Sequence, residues 1–215
     1  MIKTMVFPRR ETNTDMGAKH SYKMDPKMEI QVSKAAEVIR AGGVILYPTD
    51  TIWGLGCDAT NPEAVSKVFA IKQREESKSL VTLVSDLNML ALYVREIPEA
   101  ALDLIEVNDS PMTIIYPDAT HLASNVIAED GSVGIRIPMN EFCRQLCFRL
   151  RKPIVSTSAN ISGENPPKGF KDISPTIKDA VDYTVHPSME EKSSTHKASQ
   201  IIKIGIKGEI QIIRK

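Results

Sequence analysis

The sequence predicts an α/β protein, a single domain in which a mixed sheet carries packed helices. Three observations lead there. Short apolar runs alternate along the chain with stretches whose apolar residues recur at helical spacing. Several joins between runs are too short for a helical crossover, so antiparallel and parallel neighbours must coexist. The 215 residues, 42% hydrophobic and 25% charged, supply one large core, with no internal repeat or break in composition to divide it.

The elements follow in order. Residues 1–27 are polar, with Lys3, Arg9, Arg10, Lys19, Lys23 and Lys27 against Glu11, Asp15 and Asp25. They are expected to form a flexible tail, and residues 28–215 the domain. Val32, Ala35, Ala36 and Ile39 form a helical stripe that Gly42-Gly43 ends. Val44–Tyr47 reads as a strand stopped by Pro48. "PTDTIWGLG" then reads as a turn, with Trp53, the one tryptophan, beside Gly54 and Gly56. Either Trp53 plugs a core, or something binds here, the glycines letting the backbone approach it and Trp53 forming a wall.

Asn61-Pro62-Glu63 starts a helix, with a capping side chain and then proline in the first turn. Residues 79–84 read as a buried strand, and 86–95 and 98–106 as short helices. Strands are expected at 112–116 and 132–138, a helix at 140–150, and a strand at 153–160 running into a polar turn. Residues 161–180 read as a loop. "QIIKI" and "EIQIIR" read as a closing hairpin.

Composition excludes several classes. A formal net charge of +0 leaves no global field toward nucleic acid or membrane. No apolar run approaches the ~20 residues of a membrane span, and the N-terminus lacks a signal-peptide core. A reducing cytoplasm fits. Cys57, Cys143 and Cys147 form no CxxC and read as small buried hydrophobes. The four histidines have no ligand spacing, so no structural metal is expected. There is no Walker A pattern. Gly54-Leu55-Gly56 lacks the third glycine of a dinucleotide fingerprint, because Ala59 stands there.

What remains is polar clusters at strand ends. One is Thr49-Asp50-Thr51. Lys72 and Arg74 are separated by one residue, so an extended backbone after the helix would put both on one side, where an anion would relieve their repulsion. The plainer alternative is a solvated helix end. Ser156, Thr157, Ser158 and Asn160 follow the apolar Ile154-Val155, as anion ligands or as a self-satisfied turn. Arg136 lies between Ile135 and Ile137 and needs a partner.

Together, "YPTDTIWGLGCDA", Lys72-x-Arg74, "VGIRIP" and "STSANISG" resemble the YrdC/Sua5 family of threonylcarbamoyl-adenylate synthases, from about residue 30 onward. The resemblance implies a twisted open α/β sheet with flanking helices and a large concave cavity. It implies a cytoplasmic nucleotidyltransferase of tRNA modification, making threonylcarbamoyl-AMP and pyrophosphate from L-threonine, bicarbonate or CO2, and ATP with its Mg2+. Transferase proteins downstream would take the product to tRNA. By matching positions, Thr51, Arg136, Ser156 and Ser199 would contact threonine. Lys72, Arg74, Lys78, Ser132, Ser158, Asn160 and Arg214 would line the nucleotide region, with Lys72 and Arg74 the catalytic clamps on the triphosphate.

The sequence departs from the pattern in several places. Gln73 replaces a usual glycine, Glu75-Glu76 a small or proline-containing stretch, Ser79 a common proline and Leu83 a frequent histidine. "SPMT" stands for "GPLT", and Pro166 falls near a serine position. The further C-terminal domain of the longer Sua5 type is expected to be lacking before Lys215. A YciO-like relative that binds double-stranded RNA or tRNA without synthase activity stays open as the alternative.

Overall fold

The computed structural model describes residues 24–75 and 80–215. Helix α1 (Pro26–Arg40) starts where local chemistry starts it. The Asp25 carboxylate accepts from the N–H groups of Lys27 at 2.7 Å and Met28 at 3.4 Å, and Pro26 has no N–H to leave unpaired. The expected boundary between residues 27 and 28 therefore falls inside the first turn of α1. Val32, Ala35, Ala36 and Ile39 are buried as the stripe requires.

Among the described residues, nine strands form one mixed sheet. They are β1 (Ile45–Tyr47), β2 (Gly54–Gly56), β3 (Val81–Leu83), β4 (Met112–Tyr116), β5 (Val133–Arg136), β6 (Ile154–Ser158), β7 (Tyr183–Thr184), β8 (Gln200–Ile204) and β9 (Ile210–Arg214). Their spatial order is β7-β1-β2-β6-β3-β5-β4-β8-β9. The pairs β1–β7, β3–β5 and β4–β8 are parallel, and the others antiparallel. Helices α2 (Pro62–Lys72), α3 (Leu87–Leu90), α4 (Glu99–Val107), α5 (Glu141–Leu150) and α6 (Pro175–Asp179) flank it. α1 packs along α5.

One expected turn is a strand. Gly54–Gly56 is β2, fully buried, between β1 and β6. A Cβ on Gly56 would lie 2.6 Å from the Tyr47 ring and 2.8 Å from the Val155 carbonyl oxygen. The glycine thus makes room for a buried tyrosine and a neighbouring backbone, not for a ligand. Trp53 is 1% exposed and packs on Phe170 with ring centroids 4.9 Å apart. It plugs the core and is no cavity wall.

Other differences are smaller. The helix expected at 86–95 stops at Leu90, because Tyr93 and Val94 are buried and Val94 bridges to Ala119. The 161–180 loop contains α6, capped by Ser174. The short strand β7 extends the sheet beyond β1. All three cysteines are buried and free, and burial pushes their thiols up. No helix among the described residues is long and apolar enough to cross a membrane.

Candidate functional site

The ends of β3, β5, β6, β8 and β9 converge on a cavity of about 370 Å³. Its lining includes Thr51, Arg74, Arg136, Ser156, Ser158, Asn160, Ser199 and Arg214. Eight of the expected site residues thus meet in one place, although the first and last lie 163 positions apart in sequence (214 − 51). Among the described residues the lining carries three guanidinium groups against one carboxylate, Glu164. A chain of zero net charge has a locally positive cavity suited to an anion.

Arg136 is fixed at both ends of its guanidinium. It ends β5 and is 4% exposed. Its Nη1 donates to Thr51 Oγ1 at 3.1 Å, and its Nη2 lies 3.4 Å from Asp50 Oδ1. The other Asp50 oxygen accepts from the Met139 N–H at 3.0 Å. The Thr51 hydroxyl is itself 2.9 Å from the Thr49 hydroxyl. Ser194 closes this loop by donating to the carbonyls of Thr49 and Thr51 at 3.1 and 3.0 Å. A guanidinium fixed on one side by a hydroxyl and a carboxylate is preorganised for a planar acceptor on the other.

The other side comes from β6 and the C-terminal hairpin. Ser156 and Ser158 share a face of β6 by strand alternation. The amide of Asn160 donates to the carbonyls of Ile161 and Glu164, both at 2.9 Å, which turns the chain after β6. The Ser199 hydroxyl is 2.8 Å from that of Thr113 on β4. Arg214 Nε donates to the Ser199 carbonyl at 2.9 Å. An irregular register between Ile201 and Ile202 sets Ile212 opposite Ile202 but Arg214 opposite Ile201. That bulge brings Arg214 beside the cavity-lining Ile201. Burial, then the nearby Arg136, lowers the Arg214 pKa. Burial lowers that of Arg74.

Two expected residues are not brought to the cavity lining. Lys72 is 1% exposed, and its Nζ donates to the carbonyls of Ser158 at 2.5 Å and Asn160 at 2.7 Å. Burial, then Arg74, lowers its pKa to about 8. The extended backbone expected after Lys72 is instead a left-handed cap at Gln73 (φ 50, ψ 46), after which Arg74 lines the cavity and Lys72 does not. The Ser132 hydroxyl donates to Asp130 Oδ1 at 2.5 Å, in a turn before β5. Lys203, 2.7 Å from the same carboxylate, and Ser132 hold Asp130 at a pKa of about 2. Lys78 lies outside the described residues.

Ser194 and Glu164 were missed as site residues, and Asp50 was singled out only within the Thr49-Asp50-Thr51 cluster, not as the partner of Arg136. Only Asp50 had a signal: a carboxylate between a buried strand and a buried tryptophan needs a cation. Among the described residues, no group of three or more His, Cys, Asp or Glu is placed to hold a metal ion.

The fold and this cavity define an α/β protein with an open mixed sheet and an anion-accepting centre. Solved structures share that fold. Sua5 from P. abyssi superposes with a TM-score of 0.75, both as a doubly substituted variant and as its L-threonine complex. The identities are 26% and 24%, covering 81% and 85% of this chain and 50% and 52% of those chains. This chain thus spans about half the length of the Sua5 structures it matches. YciO from E. coli has a TM-score of 0.75 at 23% identity, covering 89% of this chain and 91% of that one. MTH1692 from Methanobacterium thermoautotrophicum has a TM-score of 0.63 at 26% identity, covering 98% and 92%. The Sua5_yciO_yrdC family model, described as telomere recombination, matches residues 37–215, and the chain belongs to that family.

Proposed function

We propose that this chain is an L-threonylcarbamoyladenylate synthase. The observation that carries the reading is the convergence of Arg74, Arg136 and Arg214 with Thr51, Ser156, Ser158, Asn160 and Ser199 on one cavity. Membership of the family and the L-threonine complex of P. abyssi Sua5 support it.

The threonine amine takes up CO2, supplied as bicarbonate, forming an N–C bond and releasing a proton. A carbamate oxygen then attacks the α-phosphorus of ATP. The bond from that phosphorus to the bridging oxygen breaks, and pyrophosphate leaves with the electron pair. The product is the mixed anhydride threonylcarbamoyl-AMP. In this reading Arg136 pairs with the threonine carboxylate and Thr51, Ser156 and Ser199 position its remainder. Arg74, Arg214, Ser158 and Asn160 hold the nucleotide. The chemistry gathers anions around one phosphorus, so preorganised cations do most of the work. Glu164 is the one carboxylate in the described lining, so Mg2+ belongs to this reading as part of the ATP substrate, which it partly neutralises.

The test is pyrophosphate release from ATP, requiring both threonine and bicarbonate. Release independent of threonine, or none, would reject the proposal. The RNA-binding alternative predicts no release together with a shifted duplex RNA in a gel.

A further inference from the structure

Lys72 closes α2 and is among the largest fully buried side chains of the protein. Among the described residues no carboxylate pairs with it, and its ammonium donates to two carbonyls, of Ser158 at 2.5 Å and Asn160 at 2.7 Å. Two carbonyl dipoles aimed at one point repel, and a compact ammonium with three donors suits that point better than a planar guanidinium. The backbone contributes as well, since the Ser162 N–H donates to the Lys72 carbonyl at 2.8 Å. Lys72 therefore grips the chain from 158 to 162 at three places. The side chains of that stretch, Ser158 and Asn160, line the cavity, whereas Lys72 does not. Arg74, beyond the left-handed Gln73, does.

We propose that Lys72 is a positioning residue: from behind the cavity its ammonium shapes the 158–162 segment that presents Ser158 and Asn160 to a nucleotide, while Arg74 alone of the Lys-x-Arg pair meets the phosphates. The inference rests on the nucleotide reading of the cavity. It differs from a shared clamp in what it demands. A residue on the β- and γ-phosphates serves ATP and not AMP. A residue that shapes the segment serves both equally.

Two measurements on Lys72→Met decide it, with Lys72→Gln as a milder variant if the first fails to fold. The first is amide hydrogen exchange across residues 156–164 in the ligand-free protein. Exchange there should rise at least about ten-fold over the parent, because charge-assisted hydrogen bonds to both carbonyls are lost. The second is calorimetric binding of AMP and ATP. Both affinities should fall by a common factor of about ten, whereas Arg74→Ala should weaken ATP more than AMP. Exchange at the parent rate would overturn the proposal, as would a loss confined to ATP. If the parent protein binds neither nucleotide, the proposed function fails, and the exchange measurement still decides whether Lys72 holds the segment.

Discussion

At the scale of single residues, charge and its geometry separate the three arginines. Arg136 is held by Thr51 and Asp50, so its guanidinium plane is set before any ligand arrives. Arg136→Lys keeps the charge and loses the fork. Calorimetric titration with threonine should show affinity lower by about ten- to a hundred-fold, the worth of a charged hydrogen bond. Unchanged affinity would remove Arg136 from the threonine site. Arg74 is argued differently, because it acts on charge that develops during reaction. Arg74→Ala should cut threonine-dependent pyrophosphate release by roughly a hundred- to a thousand-fold. Its circular dichroism should match the parent, since a cation at a cavity edge adds little to stability. Turnover near the parent's would leave Arg74 outside the chemistry.

Elements carry a second set of constraints, made of steric and capping terms. Gly56 in β2 is a glycine because its neighbours leave no room for a side chain. A Gly56→Ala methyl would meet Tyr47 and the Val155 carbonyl at 2.6 and 2.8 Å, both within the core. Overpacking of that kind costs about 1–3 kcal/mol, read as a lower denaturation midpoint at unchanged slope. A midpoint equal to the parent's would mean that β1 or β6 yields easily. The start of α1 makes a complementary case. A chain beginning at Met24 keeps the Asp25 cap and should melt with the parent. One beginning at Met28 loses the cap and Pro26, and should melt lower by about 2–4 °C, as a loss of about 1 kcal/mol implies at this size. Both should retain pyrophosphate release, because neither removes any of the described cavity-lining residues. Equal melting of the two chains would show that packing along α5, not the cap, sets this end.

Across the whole molecule, burial of Lys72 links stability to pH. Its folded pKa, about 8, lies below the usual value of 10.5. Between those values the unfolded chain binds more protons than the folded one, so unfolding free energy rises with pH across that window. Below pH 8 the full cost of burying the charge is present. Lys72→Met lacks this contribution. The parent should therefore gain stability relative to the variant from pH 8 toward 10, followed by denaturant melts. A constant difference between them would show that Lys72 titrates normally.

The same molecular scale separates what could be read from sequence from what could not. Periodicity and caps marked α1, α2, α5 and most strands, because these are local properties of consecutive residues. The motif resemblance named eight of the residues that line the cavity, from Thr51 to Arg214, since residue type and order survive in a linear record, but also Lys72 and Ser132, which do not line it. Orientation did not survive it. Lys72 and Arg74 are nearly adjacent in sequence, yet a left-handed Gln73 and two carbonyls, of Ser158 at the end of β6 and of Asn160 beyond it, turn one into the core and leave the other at the cavity. Gly54-Leu55-Gly56 reads as a turn until Tyr47 and β6 are seen to press on it from 7 to 103 residues away (54 − 47 and 157 − 54), the farther contacts being ones that no window of sequence contains. Arg214 reaches the cavity through a bulge in a register set by β8. By itself the sequence determined the elements, the polar residue types and the set of candidates. The tertiary structure decided which of those side chains share a space, because facing is set by long-range packing and hydrogen bonding, and these form only when the chain closes on itself.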